Sequence, residues 1–309
     1  MTVLMLEALD AEVVQWLAER HDARFAPELV ADPLALRAAV AGARALIAPP
    51  ELPIDARLLE SADDLCIVAR LQGDMVNVDQ DLCRARGVEV ARVVWSSANA
   101  EAEFAVGALL DMFRNPSDGG AKLGRELGCA TVGLIGMTPV AQVLAPLLAS
   151  FGTRVMGYDP SLHASDDEWS RWGVEPLSLM DLLQTVDAVV VLLPSYERFR
   201  GVLSARVLSH TRMDQVWVAL SPSMLFDELA LGEALNRGAI RSIWFDALDP
   251  AWLDAGRPLA RRRGVRVTDR QANQTREAAT RAAWAIARRV DEVLSRDVPA
   301  VRAAGQRSR

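Results

Sequence analysis

Short continuous apolar runs alternate with longer amphipathic stretches along almost the whole chain. Val3–Leu6, Ala45–Ala48 and Cys66–Ala69 read as buried strands, and Ala11–Arg20, 33–40 and 55–60 as the helices between them, with Asp10 as the N-cap of the first. A strand that is apolar at every position is buried on both faces, which predicts a parallel sheet covered by helices on each side. A second series follows a long helical pattern at 99–114 and the breaker cluster Asn115-Pro-Ser-Asp-Gly-Gly120. Its strands are Thr131–Ile135, Arg154–Tyr158, Ala188–Leu193, Val216–Leu220, Ser242–Phe245 and Val265–Thr268, and a helix from Thr275 to Leu294 closes the chain.

This alternation predicts an α/β protein of two doubly wound Rossmann-like domains with parallel sheets and a cleft between them. A length of 309 residues agrees with two domains. Composition narrows the partners. A formal net charge of −7 disfavours nucleic acid, which needs a basic face. No apolar run is long enough to span a bilayer, and the first residues lack the basic start of a secretory signal. Three cysteines without a close pair suit a reducing compartment, and the expected location is the cytoplasm. The three histidines, His21, His163 and His210, fall at no motif position, so neither a metal site nor a Ser-His-Asp system is expected.

The strongest local motif is Thr131-Val-Gly-Leu-Ile-Gly136-Met-Thr138-Pro139-Val140-Ala141, a strand that runs through a tight turn into a helix. The amide groups at such a helix start favour a pyrophosphate. Pro139 suits the first helical position, whereas Pro146 should kink or end the helix. Asp159, 23 residues after Gly136 at the end of the next strand, is placed to bind ribose hydroxyls and so favours NAD over NADP. In the register of G-x-G-x-x-G the three positions are Gly136, Thr138 and Ala141. A threonine at the second must push the cofactor away or bind it through its hydroxyl. The bland alternative is a strand–turn–helix with an empty crevice.

The order of further motifs resembles the D-2-hydroxyacid dehydrogenase family over nearly the whole chain. The residues that carry the resemblance are Asn77-Val-Asp79, Arg86-Gly-Val-Glu-Val90, Asn99-Ala-Glu-Ala-Glu103, Gly124-Arg-Glu-Leu127, Asp187–Pro194, Asp227-Glu-Leu-Ala230 with Glu233-Ala-Leu235, Asp246, and Thr275-x-Glu277-Ala278. The resemblance implies a substrate-type, flavodoxin-like domain of 1–100 plus 275–309 and an NAD-binding domain of 101–274, with a small-molecule ligand in the interdomain cleft. It implies NAD contacts at Gly136, Thr138, Pro139, Val140, Asp159, Pro194 and Asp246, the last to the nicotinamide amide.

The family's catalytic arginine, glutamate and histidine are absent. In register, Pro222 stands for the arginine, Ala251 for the glutamate and Arg270 for the histidine. An arginine cannot act as a general base near neutral pH. The G-x-G turn that binds the substrate carboxylate reads Gln72-Gly73-Asp74, which sets a negative charge beside the expected anion. Asp74, Ser221, Asp249 and Arg270 are the polar residues left to form a remodelled catalytic set. The family's dimer arm is reduced to residues 115–123, so its usual dimer is not implied. Three readings stay open: a divergent enzyme with NAD and an unusual substrate, a pseudoenzyme that binds NAD(H) as a sensor or partner protein, and a cofactor-free interaction protein.

Overall fold

A computed structural model describes residues 2–71, 75, 77–93, 95–115, 123–260 and 262–296. The breaker at 116–120 and most of the shortened arm lie outside these residues. The chain divides into two compact units, Met1–Ser96 with Arg276–Arg309 (unit 1) and Ser97–Thr275 (unit 2).

Unit 1 holds a five-stranded sheet of β1 (Val3–Met5), β2 (Ala23–Phe25), β3 (Ala45–Ile47), β4 (Ile67–Arg70) and β5 (Glu89–Arg92). Its order is β2-β1-β3-β4-β5, and every pair is parallel. This is the flavodoxin-like order. The strand pleat explains the two cores. Val3 and Met5 face one side with Ala45, Ile47 and Ile67, and Leu4 faces the other with Leu46 and Val68. The first side is covered by the Ala11–Ala18 helix and by the Arg276–Arg296 helix, whose Ala282, Ile286, Ala287, Val290 and Leu294 are buried. Polar links fix that helix in the unit. His21 Nε2 and Asp291 Oδ1 are 2.9 Å apart, and Arg289 donates to both oxygens of Glu89.

Unit 2 holds seven strands: β6 (Thr131–Ile135), β7 (Arg154–Tyr158), β8 (Glu175–Pro176), β9 (Ala188–Val191), β10 (Gln215–Ala219), β11 (Ile240–Phe245) and β12 (Val265–Val267). The order is β12-β11-β10-β9-β6-β7-β8, again all parallel. The chain runs outward one way from β6 to β8 and the other way from β9 to β12. The reversal lies between β6 and β9, and ligands of open α/β sheets bind outside the carboxyl ends at such a switch.

The α/β architecture with two parallel sheets agrees with the expectation from the apolar pattern. Several local features differ. Asp10 does not cap its helix with its side chain; its Oδ2 accepts the Thr280 hydroxyl at 2.7 Å instead. Pro146 does not end its helix, which runs from Pro139 to Ser150. The edge strands β2, β5 and β8 are absent from the strands read in the sequence. They are two to four residues long and each carries a charged residue, so they lack the apolar run that marks a central strand.

Candidate cofactor turn and the strand ends of unit 2

The turn after β6 is pinned on both sides. Gly136 has φ +102°, and its N–H donates to the Tyr158 carbonyl at the end of β7 (2.7 Å). A Cβ at Gly136 would lie 2.8 Å from the Leu193 nitrogen beyond β9. Only glycine meets both constraints, the left-handed φ and the close backbone approach. The switch between β6 and β9 is therefore built around this residue.

The helix then starts with Thr138 as N-cap, Pro139 at its first position, and Val140 and Ala141 behind it. Thr138 is extended (φ −68°, ψ 171°) and makes no side-chain capping bond. Its Oγ1 is shut off from solvent and has no hydrogen-bond partner among the described residues. Asp159, just after β7, turns back onto the turn. Its Oδ2 accepts the Met137 N–H at 2.7 Å, and its Oδ1 accepts the Ser161 N–H at 2.8 Å and the Ser161 hydroxyl. A carboxylate has about four lone-pair positions, so one acceptor direction is left for a ligand.

Three of the four residues expected to form a catalytic set lie at the carboxyl ends of β10, β11 and β12; Asp74 lies outside the described residues. Their side chains are engaged in ways the sequence does not signal. The Ser221 hydroxyl donates to the Leu193 carbonyl at 2.7 Å, and the residue is 2% exposed, so it braces the ends of β9 and β10 rather than offering a nucleophile. Asp249 is exposed, and its Oδ1 accepts the Ala251 N–H at 3.0 Å as cap of a short 3-10 turn. Its own N–H donates to Ser223 Oγ. Arg270 is exposed, has φ +51°, and donates its backbone N–H to the Asp246 carbonyl at 2.7 Å.

Asp246 is buried at the end of β11. Its carboxylate accepts the Thr268 hydroxyl (2.6 Å) and the N–H groups of Gln271 and Ala272 (both 2.9 Å). These bonds organise the 268–272 loop and explain how a carboxylate is tolerated there. Glu101, in the first turn of the Ala98–Arg114 helix and inside the Asn99–Glu103 motif, is a neighbour to which the sequence reading gives no role. Burial pushes its carboxyl above the usual range, a hydrogen bond to Ser97 opposes this, and the charge of Asp246 adds to it. Pro194, the last predicted cofactor contact, follows β9 beside Leu193, with its carbonyl accepting the Tyr196 N–H at 2.8 Å.

Two tryptophans of unit 2 are packing residues. Trp244 stacks edge-on against Phe104, lies under Arg266 and donates to Thr268 Oγ1. Trp169 is buried and donates to the His163 carbonyl. Among the described residues no group of histidine, cysteine and acidic side chains could hold a metal ion, and no helix is long and apolar enough to cross a membrane.

Unit 1 has a polar strand end of its own. Arg70, at the end of β4 and 1% exposed, donates to Asn77 Oδ1 (2.6 Å) and to the Leu52 carbonyl. Glu7 follows β1. Burial, with the like charge of Glu51, pushes its carboxyl up to about 7 against the pull of Arg70. It lines a cavity of about 220 Å³ with Leu9, Asp10, Leu71, Ala279 and Ala283. No motif marks Glu7; the only hint is a charge directly after a buried strand.

Residues 108–272 match the family described as "D-isomer specific 2-hydroxyacid dehydrogenase, NAD binding domain". The chain belongs to that family. Unit 2 is its NAD-binding domain. The D-3-phosphoglycerate dehydrogenase of Mycobacterium tuberculosis is 32% identical over 306 residues, covering 95% of this chain and 57% of that protein. The chain therefore spans little more than half the length of that relative. The (S)-sulfolactate dehydrogenase of Chromohalobacter salexigens is 28% identical over 296 residues, covering 91% of this chain and 94% of that protein. The D-lactate dehydrogenase of Aquifex aeolicus, solved with NAD and lactic acid, has the same fold at a TM-score of 0.76 and 16% identity, covering 96% of both chains.

The residues at the β6 turn of this family member fit NAD. The cradle at Gly136 admits no side chain, a hydroxyl without a partner among the described residues lies at the helix start, and Asp159 retains an acceptor at the end of β7. Held there, NAD would supply a hydride donor or acceptor, and Gly136, Val140 and Asp159 would be its holding residues.

Proposed function

We propose that this chain is an NAD-dependent oxidoreductase that does not reduce simple 2-keto acids by the family's standard route, and acts instead on a small substrate carrying a second anionic group. The observation that carries this reading is Arg270. It lies at the carboxyl end of β12, in a left-handed backbone conformation tied to Asp246, and in the register of the resemblance it falls at the family's histidine. A non-glycine residue in that conformation is uncommon and recurs at ligand-binding positions. An arginine there cannot relay a proton from the substrate oxygen, but its planar fork suits a carboxylate, phosphate or sulfonate. Two of the three relatives named above are designated for hydroxy acids with such a second group, a phosphate in one and a sulfonate in the other.

A second reading, NAD(H) binding without turnover, is favoured by a specific set of bonds. Ser221, Asp246 and Asp249 are all engaged by backbone partners, so none of the three is poised for proton transfer.

The test is a NADH titration followed by an assay of two panels, simple 2-keto acids and 2-keto acids bearing a phosphate or sulfonate. Turnover confined to the second panel is the expected result. Efficient reduction of pyruvate would sink the reading, and cofactor binding with no turnover in either panel would select the sensor alternative.

A further inference from the structure

We propose that the Thr138 hydroxyl is a pyrophosphate-binding donor of the β6 turn, in place of the backbone donor that Pro139 removes. This rests on the NAD(H) reading above. The turn is short of backbone donors. The Met137 N–H is held by Asp159 at 2.7 Å, and Pro139 has no N–H to offer. The first turn of a helix leaves its N–H groups without intrahelical acceptors, and here, beyond that of the N-cap Thr138 itself, those groups are on Val140 and Ala141.

A threonine at an N-cap ordinarily turns its oxygen onto one of those two amides. Thr138 does not, although its backbone is extended as an N-cap requires. Two consequences follow. The amides of Val140 and Ala141 are not capped by the residue best placed to do it. The hydroxyl itself is enclosed without a hydrogen-bond partner among the described residues. Threonine has more than one staggered χ1 well, so a rotation about Cα–Cβ turns the hydroxyl towards an anion at the helix start. A phosphate oxygen satisfies both orphans at once, accepting from the hydroxyl and from the amides. The exchange of a glycine for a threonine, which by itself obstructs the cofactor, then becomes the compensation for the proline that follows it.

The experiment is titration of the full chain with NADH and with ADP-ribose, which keeps the pyrophosphate and lacks the nicotinamide, for the unaltered protein and for Thr138→Val, Thr138→Ser and Thr138→Gly. Thermal unfolding without ligand accompanies each. Thr138→Val should weaken both ligands by about tenfold to a hundredfold, as loss of a hydrogen bond to a charged group does, and Thr138→Ser by less than about threefold. Without ligand, Thr138→Val should unfold at an equal or higher temperature, because it removes an enclosed hydroxyl; a merely structural hydroxyl would give the opposite. Binding by Thr138→Val within about twofold of the unaltered protein, or tighter binding by Thr138→Gly, would overturn the inference. If the unaltered protein binds neither ligand at millimolar concentration, the NAD(H) reading fails and this inference falls with it.

Discussion

Asp159 and Met137 are joined by a 2.7 Å hydrogen bond from the Met137 N–H to the carboxylate. The bond links the residue expected to hold the ribose to the turn expected to hold the pyrophosphate, so the two halves of the cofactor site are set by one side chain. Asp159→Ala should weaken NADH by about tenfold to a hundredfold and loosen the turn as well. Asp159→Asn keeps a carbonyl acceptor but removes the charge, and should narrow the preference for NADH over NADPH. Fluorescence titration with both cofactors checks this. An unchanged preference in Asp159→Asn would show that the carboxylate does not face the ribose.

Gly136→Ala should be severe. The new Cβ would lie 2.8 Å from a backbone nitrogen, at a φ of +102° that L side chains rarely adopt. Overpacking against backbone together with the wrong φ costs about 2–4 kcal/mol. Chemical denaturation measures the loss. Gly173→Ala, also at positive φ but with open space around its Cβ, should cost only about 1 kcal/mol and serves as the control.

The central strands are legible in the sequence because they are apolar at every position, as in Ala188–Val191, and Gly136 is legible because a strand leads into it and a helix follows. The roles of Asp246, Ser221 and Asp249 are not. Each is defined by a backbone group, and the partners of the first two lie more than twenty residues away. Backbone donors and acceptors are the same at every residue, so no motif announces them. A polar residue in a motif register looks alike whether it faces a ligand or braces a loop. Asp187 shows the benign outcome. Burial alone would raise its carboxyl, but hydrogen bonds from Arg125 and Thr131 hold it below its ordinary value, in a structural link between β6 and β9. That depressed carboxyl adds stability above about pH 4, which is lost as pH falls through its folded value.

Glu7 should give stability the opposite dependence on pH. Its folded value is raised to about 7 from an ordinary 4.5. Between these two values the folded chain holds a proton that the unfolded chain has released. Stability therefore falls as pH rises from about 4.5 to 7, and is level in this respect above that. Glu7→Gln removes the titrating group. It should be more stable than the unaltered protein at pH 8, by about 1–2 kcal/mol once solvent screening is allowed for, and nearly equal at pH 4.5. Unfolding curves at the two pH values check the sign. A gain of the same size at both would mean that packing, not ionisation, is responsible.

Arg270→His should not restore reduction of simple 2-keto acids. The substitution returns an imidazole to the register position of the family's histidine, but that histidine works only with two partners. In the register of the resemblance, Ala251 is expected where the glutamate would keep the imidazole protonated, and Pro222 where an arginine would clamp the substrate carboxylate. Pro222 has a further constraint, since it is the N-cap of a short turn whose Ser223 hydroxyl accepts the Asp249 N–H. The imidazole would also inherit a backbone at φ +51°, fixed by the bond to the Asp246 carbonyl. Pyruvate reduction by Arg270→His should therefore stay at the background of the unaltered protein, while binding of a doubly anionic ligand should weaken by about tenfold through loss of the guanidinium. Measuring both separates the two roles of the position. A single substitution that produced pyruvate turnover would show that Ala251 and Pro222 do not occupy the glutamate and arginine positions.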